Sequence, residues 1–310
     1  MDLVVEYADE YLFDALYSKV GQTSFNINGT TTTDDITFGI PRDNIYRQTF
    51  TSIFILTVGG FIFYLFAATM SYYFVYDHNI MKHPKFLKNQ IRLEIECALS
   101  AMPGIAVMTA PWIVGELRGH SYLYGGTPES LYDWAYFLLS IPAFLAFTDC
   151  GIYWIHRWEH HPLLYKRMHK LHHKWIVPTP FASHAFKAVD GYAQSLPYHI
   201  YVFLFPMHKY LYLGLFIFVN FWTVMIHDGA YISHSSIINT SAHHAVHHLY
   251  FNYNYGQYFT LWDRIGNSHR QPTDEQYDSE LRINKKVMAK QAKDAETIED
   301  ESERAKLKSN

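Results

Sequence analysis

Four long apolar runs constrain this chain more than any other feature of its sequence. They cover roughly residues 49–76, 95–114, 131–155 and 196–226. The first run exceeds the about 20 residues that a helix needs to cross a bilayer. Two prolines, Pro103 and Pro111, stand inside the second run, where we expect them to interrupt the helix. We predict an all-α integral membrane protein with about four transmembrane or re-entrant helices.

The distribution of basic residues orients these helices. No acid stands between residues 79 and 93, directly after the first run, and the bases there are Lys82, Lys85, Lys88 and Arg92. Because positive charge marks cytosolic loops, the N-terminus is predicted to be luminal. The sequon that begins at Asn28 agrees with that side. Three crossings then bring residue 156 to the cytosolic side.

Histidines are concentrated in three clusters after the third run. The clusters are His156, His160 and His161; His169, His172 and His173; and His243, His244, His247 and His248. Spacings of three and four residues place imidazoles on one face of a helix, and imidazole is a common metal ligand. Eight of these histidines, with His184 and His227, exceed what one tetrahedral zinc needs. The pattern predicts a cytosolic helical cap that holds a polyhistidine site for two metals.

The fourth run decides whether the third cluster can join the first two. It has about 31 residues, whereas two full crossings need about 40. A single crossing would place the third cluster on the opposite side of the membrane. The polar centre at residues 206–209 favours a hairpin of two short or tilted helices. We therefore predict an even number of crossings, or a re-entrant pair.

The chain divides into three parts on this basis. Residues 1–48 are a luminal N-terminal extension and linker, and residues 49–272 are the membrane-embedded domain with its cytosolic cap. Residues 273–310 are a polar cytosolic tail, either a solvated helix or disordered. Lys306 and Lys308 match a dilysine retrieval signal of the endoplasmic reticulum.

Several functional classes are excluded by composition. Two cysteines are too few for a disulfide framework or a thiolate metal site. No basic patch interleaved with aromatics indicates nucleic acid, and no glycine-rich fingerprint indicates a bound nicotinamide or flavin. The histidines instead lie at a membrane boundary, beside Trp154, Trp158 and Trp175. A lipid substrate with unreactive C–H bonds fits that place, and its oxidation requires metal-activated dioxygen, for which two irons are suited.

The residues around the histidines resemble the sterol C-5 desaturase family of the fatty acid hydroxylase superfamily, over about residues 149–272. The resemblance is carried by the histidine motifs and by their flanking strings, PFASH at 180–184, HDG at 227–229 and HHLYFNYNYGQ at 247–257. It implies a C-5/C-6 desaturation of a delta-7 sterol at a di-iron centre on the cytosolic face of the endoplasmic reticulum. It also implies dioxygen as co-substrate, and electrons from NAD(P)H through cytochrome b5 and its reductase.

The resemblance also implies which residues act. The implied catalytic ligands are His156, His160, His169, His172, His173, His244, His247 and His248. His227 matches a further histidine of the superfamily, and His184 matches an extra histidine that is either a metal ligand or a polar group on the substrate side. The roles of His161 and Asp149 stay open, and His243 is left out of the site.

Besides His243, where a small residue is usual, the chain departs from the family pattern at two places. Lys187-Ala188 stands where His-Pro is usual, and Tyr231 stands where some hydroxylases have a histidine. Other functions therefore remain open: a sterol C-4 methyl oxidase or other lipid hydroxylase on the same scaffold, a zinc hydrolase, or a non-catalytic membrane metal-binding scaffold. The basic loop after the first run is either a cytochrome b5 surface or a contact with lipid headgroups.

Overall fold

The computed structural model describes residues 2–18, 39–231 and 233–307. The Asn28 sequon and Lys308 of the dilysine pattern lie outside the described residues. The α-helices are α1 (Asp2–Ala8), α2 (Asp14–Tyr17), α3 (Ile45–Phe74), α4 (Gln90–Leu117), α5 (Leu131–Glu159), α6 (Pro162–Tyr165), α7 (Ala188–Leu204), α8 (Lys209–Met225), α9 (Ser241–Tyr250), α10 (Leu261–Ile265), α11 (Asp274–Tyr277), α12 (Ser279–Arg282) and α13 (Lys285–Leu307). The strands are β1 (Leu123–Tyr124) and β2 (Met207–His208). A π-helical turn covers Asp9–Phe13, and 3₁₀ turns cover His78–Lys82, His172–Lys174 and Pro180–His184.

Within the described residues, three helices are long and apolar enough to cross a membrane, namely α3, α4 and α5, with 30, 28 and 29 residues. At 1.5 Å per residue each is about 42–45 Å long, which exceeds the hydrocarbon thickness of a bilayer. The expected interruption of the second helix is wrong, because α4 continues through both Pro103 and Pro111. Membrane helices tolerate proline where neighbouring elements support the freed backbone, and α4 packs between α3 and α7.

The predicted hairpin in residues 196–226 is present as α7 and α8, each of 17 residues. Its tip contains β2, which pairs in parallel with β1 in the loop between α4 and α5. That loop lies at the end of the bundle opposite to the C-terminus of α5. The Tyr136 hydroxyl also donates to the Pro206 carbonyl, at 2.7 Å, and fixes the tip there. The hairpin therefore starts and ends on the side of the histidines.

Close contact between α5 and α7 brings the hairpin against the third long helix. A Cβ built on Gly151 would lie 2.6 Å from Pro197 Cγ, so this crossing needs a glycine. Phe144 and Tyr153, both fully buried, pack on the inner face of α5. Lipid is as apolar as these side chains, so tight packing rather than exclusion of water holds the helices together. The outer faces carry exposed apolar residues such as Phe66 and Leu139.

A cap of short helices and turns covers the end of the bundle that carries the histidines. All ten residues of α9 are buried, and α13 packs directly on α9. Met288 and Ala295 on α13 are buried, and Glu296 pairs with Lys85 at 2.7 Å. Residues 285–307 of the tail therefore form a helix whose apolar face is part of the cap, a contact that the polar composition did not indicate.

Candidate metal centre

Nine of the ten predicted histidines meet in two groups inside the cap. In each group the potential ligand atoms all lie within 4.8 Å of one another. The five-histidine group contains His156, His160, His169, His173 and His247, and the four-histidine group contains His172, His227, His244 and His248. The groups are adjacent, since the His173 ring centroid lies 5.2 Å from that of His248, and the His169 ring centroid lies 5.2 Å from that of His172.

Local backbone geometry divides the histidine motifs between the groups. His172 and His173 are consecutive in a 3₁₀ turn, so their side chains diverge, and each enters a different group. His247 and His248 do the same on α9, where they lie about 100° apart around the helix axis. His244 is one turn from His248 and faces the same group. The pairs His172-His173 and His247-His248 therefore each contribute one imidazole to each group.

Hydrogen bonds from the outer ring nitrogens orient the imidazoles. Nδ1 of His156 lies 3.0 Å from the Tyr255 carbonyl, Nδ1 of His247 lies 2.7 Å from the Tyr253 carbonyl, and Nδ1 of His227 lies 2.7 Å from the Thr223 carbonyl. A carbonyl only accepts, so we assign the ring hydrogen to Nδ1 in all three. Each Nε2 then presents a lone pair to the interior of its group.

Asp190 orients a fourth imidazole. Its Oδ2 accepts from His169 Nδ1 at 2.9 Å, and its Oδ1 accepts from Gln194 at 2.7 Å. The carboxylate stands in the first turn of α7, where the helix dipole favours an acid. A second carboxylate oxygen, Oε2 of Glu159, lies 3.7 Å from the same Nδ1. His169 therefore also turns its Nε2 lone pair inward.

The inward lone pairs provide a test of whether a metal fits. His156 Nε2 and His169 Nε2 are 3.1 Å apart, although both rings carry their hydrogen on Nδ1. No hydrogen is left to bridge this contact, so a cation between the two nitrogens satisfies both. His247 Nε2 is also buried without a hydrogen-bond partner in the described part of the chain. The donor set of neutral imidazoles suits iron, copper, nickel or zinc.

Burial keeps these imidazoles neutral, as metal binding requires. Desolvation, reinforced by neighbouring histidines, lowers the pKa of His247 to about 3. It lowers the pKa of His227 to about 4, against an opposing hydrogen bond to Thr223. The pKa values of His172 and His248 are also well below the usual range, for the same cause. At neutral pH the uncharged form therefore dominates.

His184, predicted as either a metal ligand or a polar group on the substrate side, lies outside both groups. The 3₁₀ turn Pro180–His184 directs the ring away from the groups and against Tyr64, with ring centroids 5.4 Å apart. Its Nε2 lies 3.3 Å from Asn220 Oδ1, and its Nδ1 lies 3.0 Å from Ser183 Oγ. Phe186 contacts the rings of both His184 and His172. The ring therefore contributes no ligand atom to either described group.

The residues of open role have structural partners. His161 is exposed and caps α6 by accepting from the Leu163 amide. His243 accepts from the Thr240 amide in the capping box that begins α9. Asp149 is buried, and its Oδ1 accepts from the amides of Tyr258, at 2.7 Å, and Phe259, at 3.3 Å. It therefore ties α5 to the segment after the third cluster.

The two departures from the family pattern also lie apart from the groups. Lys187 donates to the Arg167 carbonyl at 2.7 Å, at the start of α7. The Tyr231 ring lies under the Arg282 guanidinium, at 4.6 Å. Neither position supplies a ligand atom to the described groups.

An apolar cavity of about 390 Å³ inside the bundle leads to the histidines. Residues of α3, α4, α7 and α8 line it, with Val4 of α1 at its far end. Its near end is formed by His184, Phe186, Thr223 and Gln257. Phe186 touches His172, and Thr223 holds His227, so the cavity ends directly beside the four-histidine group. Its volume is in the range of small-molecule sites.

Sequence reasoning missed the residues that position the histidines. Asp190 had no assigned role, and Thr223 acts through its backbone carbonyl, which no side-chain pattern reveals. Asp263 was missed as well; it is fully buried and accepts from the amides of Tyr255 and Gly256, each at 2.9 Å. The four-residue spacing of Thr223 and His227, at the C-terminal end of α8, was the available signal.

Fold and site together define a membrane-embedded protein whose histidines form a metal-binding site beside an apolar cavity. The fatty acid hydroxylase family matches residues 141–268. The chain is 50% identical over 303 residues to the Delta(7)-sterol 5(6)-desaturase erg31 of Schizosaccharomyces pombe, covering 98% of this chain and 95% of the relative. It is 53% identical over 266 residues to the Delta(7)-sterol 5(6)-desaturase of Candida dubliniensis, covering 85% and 69%.

A third relative is the Delta(7)-sterol 5(6)-desaturase of Candida glabrata, 44% identical over 339 residues, with 95% of this chain and 93% of the relative covered. No solved structure matches the chain. The chain belongs to the Delta(7)-sterol 5(6)-desaturase family. The predicted family and the prediction of an oxidoreductase are thereby confirmed, and the non-catalytic scaffold is set aside.

Proposed function

We propose that this protein introduces the C-5/C-6 double bond into a delta-7 sterol. The observation that carries the proposal is the juxtaposition of two histidine groups with the near end of an apolar cavity. The relatives' name supplies the reaction, and the cavity suits a rigid apolar substrate that enters from the bilayer. Two hydrogens leave the sterol, and dioxygen with two electrons and two protons becomes two waters.

Two irons are the proposed metals, one in each group. When bound there, iron with dioxygen supplies an oxidant strong enough for an unactivated C–H bond. The chain contributes the setting: Asp190 and the carbonyls of Tyr253, Tyr255 and Thr223 fix the imidazoles. Phe186 and the apolar cavity wall exclude water from the substrate side. A preorganised ligand set requires little rearrangement during the reaction.

Electrons are proposed to come from NAD(P)H through cytochrome b5 and its reductase, at the cytosolic face of the endoplasmic reticulum. The chain carries no fingerprint for binding a nicotinamide itself. Of the basic loop residues, Lys85 is paired with Glu296 and Arg92 with Glu96. Lys82 donates to Asn79. Lys82 and Lys88 are therefore the two bases of the loop that we propose to contact an acidic electron donor.

Sterol profiling of a desaturase-deficient yeast that expresses the chain tests the reaction. A 5,7-diene is expected from a delta-7 sterol, in an oxygen- and NADH-dependent manner. His172→Ala and His247→Ala, one in each group, should abolish it. The matched control is His161→Ala, whose imidazole lies on the surface and supplies no ligand atom. An alcohol as the product indicates a hydroxylase, anaerobic turnover indicates a hydrolase, and activity that survives both group variants refutes the centre.

A further inference from the structure

The cavity has a direction relative to the metal centre. Along α8 it extends from Leu213 to Thr223, and two residues beyond that helix His227 enters the four-histidine group. Ten residues of α-helix give it a length of about 15 Å. The far end is formed by apolar groups, including Val4, Ile55 and Leu213. A long substrate must therefore place its reacting carbons at the near end and an apolar part at the far end.

A sterol that reacts at C-5 and C-6 has its one polar group close to those carbons. The 3-hydroxyl oxygen is only three bonds from C-5 and four from C-6, whereas the alkyl side chain is at the opposite end of the ring system. The hydroxyl therefore lies at the near end of the cavity as well. Burying it there without a hydrogen-bond partner would weaken binding, so the near end must supply one.

Most polar side chains of the cavity wall already form hydrogen bonds within the protein. Gln194 donates to Asp190, and Gln257 donates to the Thr223 hydroxyl at 3.0 Å. Ser195 donates to the Tyr192 carbonyl of its own helix. These groups hold helices or the histidine supports in place. The pair formed by His184 and Asn220 holds no histidine of either group.

The geometry of this pair suits a hydroxyl. Asn220 donates to the Phe216 carbonyl at 2.7 Å, which fixes its Oδ1 toward His184 Nε2. The 3.3 Å contact between those two atoms is long for a hydrogen bond and leaves the second lone pair of Oδ1 available. A hydroxyl at this point donates to Asn220 Oδ1 and accepts from the ring N–H of His184.

We propose that His184 and Asn220 bind the sterol 3-hydroxyl, with the alkyl side chain directed toward Val4. This inference rests on the proposed function for the class of substrate. It makes the pair a determinant of specificity: sterols that lack the hydroxyl bind weakly, and the hydroxyl fixes which carbons face the histidines.

Equilibrium binding of radiolabelled sterols to the purified full chain in lipid nanodiscs tests the pair without turnover. The probes are a delta-7 sterol and its 3-deoxy analogue. Asn220→Leu removes the acceptor at similar volume and should raise the Kd of the 3-hydroxy sterol about 10- to 100-fold. The Kd of the 3-deoxy analogue should stay within about twofold, which also shows that the variant is folded. Asn79→Leu, the same change at an exposed loop residue, should alter neither Kd.

The outcomes distinguish a failure of the proposed hydroxyl site from a failure of the proposed reaction. Equal weakening of both sterols by Asn220→Leu, or no weakening of either, overturns the assignment of the hydroxyl. His184→Phe, which keeps a ring and removes both nitrogens, must show the same selective loss. If the wild-type chain discriminates the two sterols through Asn220 and forms no diene, the proposed reaction fails while the binding assignment stands. If it forms the diene and Asn220→Leu binds both sterols as the wild type does, only the assignment fails.

Discussion

Asp190→Ala is the substitution that most directly tests the five-histidine group as a metal site. The carboxylate accepts from His169 Nδ1 at 2.9 Å, and both side chains are fully buried. Without it, the His169 ring loses the partner that turns its Nε2 toward His156, 3.1 Å away. Loss of such a partner weakens metal affinity about 10- to 100-fold, or about 1.4–2.8 kcal/mol. Asp190→Asn keeps an oxygen acceptor and should lose less.

The assay is iron content of the purified protein after dialysis against increasing chelator. The wild type is expected to hold two ions per chain. Asp190→Ala should release one ion at a 10- to 100-fold lower chelator concentration and keep the other, since the four-histidine group has no contact with Asp190 among the described residues. Glu94→Ala is the control, because Glu94 is also fully buried but bonds to Gln90 and Thr179.

Two results would refute this reasoning. Release of both ions from Asp190→Ala at the wild-type chelator concentration means that the carboxylate does not support a bound metal. Simultaneous early release of both ions means that the two groups are not separate sites. A loss of one ion from Glu94→Ala would show instead that general destabilisation of the cap is sufficient.

Three further perturbations follow from the packing of the cap. Gly266→Ala places a methyl group against the Tyr153 hydroxyl and should destabilise the protein by about 1–3 kcal/mol. The resulting decrease in the thermal unfolding temperature should be smaller in a Tyr153→Phe background. An equal decrease in both backgrounds contradicts the contact. Met288→Asp buries a carboxylate between α13 and the rest of the cap; we expect trypsin to cleave α13 faster, and an unchanged cleavage rate excludes the packed arrangement. Burial lowers the pKa of His83 from 6.5 to about 4, so the unfolded chain binds the extra proton and stability falls as the pH drops from 6.5 toward 4. Between pH 7.5 and 5.5 the loss of unfolding free energy is about 1.4 kcal/mol. His83→Asn keeps an acceptor for the Lys85 amide and should reduce this pH dependence. Parallel plots of stability against pH for the wild type and the variant would contradict it.

The membrane architecture was predictable because it depends on long runs of one kind of residue. The three long helices and the hairpin at residues 196–226 follow from hydropathy, run length and the requirement to bring the histidines to one side. The ends of the helices were harder to predict from the sequence. α4 begins before the apolar run, at Gln90, because Gln90 and Glu94 bond to each other and to Val177 and Thr179 of the cap. Those partners are distant in sequence and have no local signature.

The candidate site was predictable as a set of histidines but not as two groups. Spacing places residues on helix faces, yet the separation of His172 from His173 depends on a 3₁₀ turn that spacing does not specify. His184 was grouped with the ligands on its motif, and only the turn at Pro180–His184 shows that the ring faces the cavity. Groups that orient the histidines, such as the Thr223 carbonyl, belong to the backbone. Every residue has such a carbonyl, so the residue type does not show which one accepts a hydrogen bond from a histidine.

The division of the histidine motifs has a consequence for how the protein is made. Four members of the five-histidine group, His156 to His173, are synthesised before the hairpin, and only His247 comes after it. The four-histidine group has one early member, His172, and three that follow the hairpin. On the ribosome, the first group has most of its ligands while the second has almost none. The second group can form only after α7 and α8 have been inserted, so correct insertion of the hairpin controls when both histidine groups first exist together.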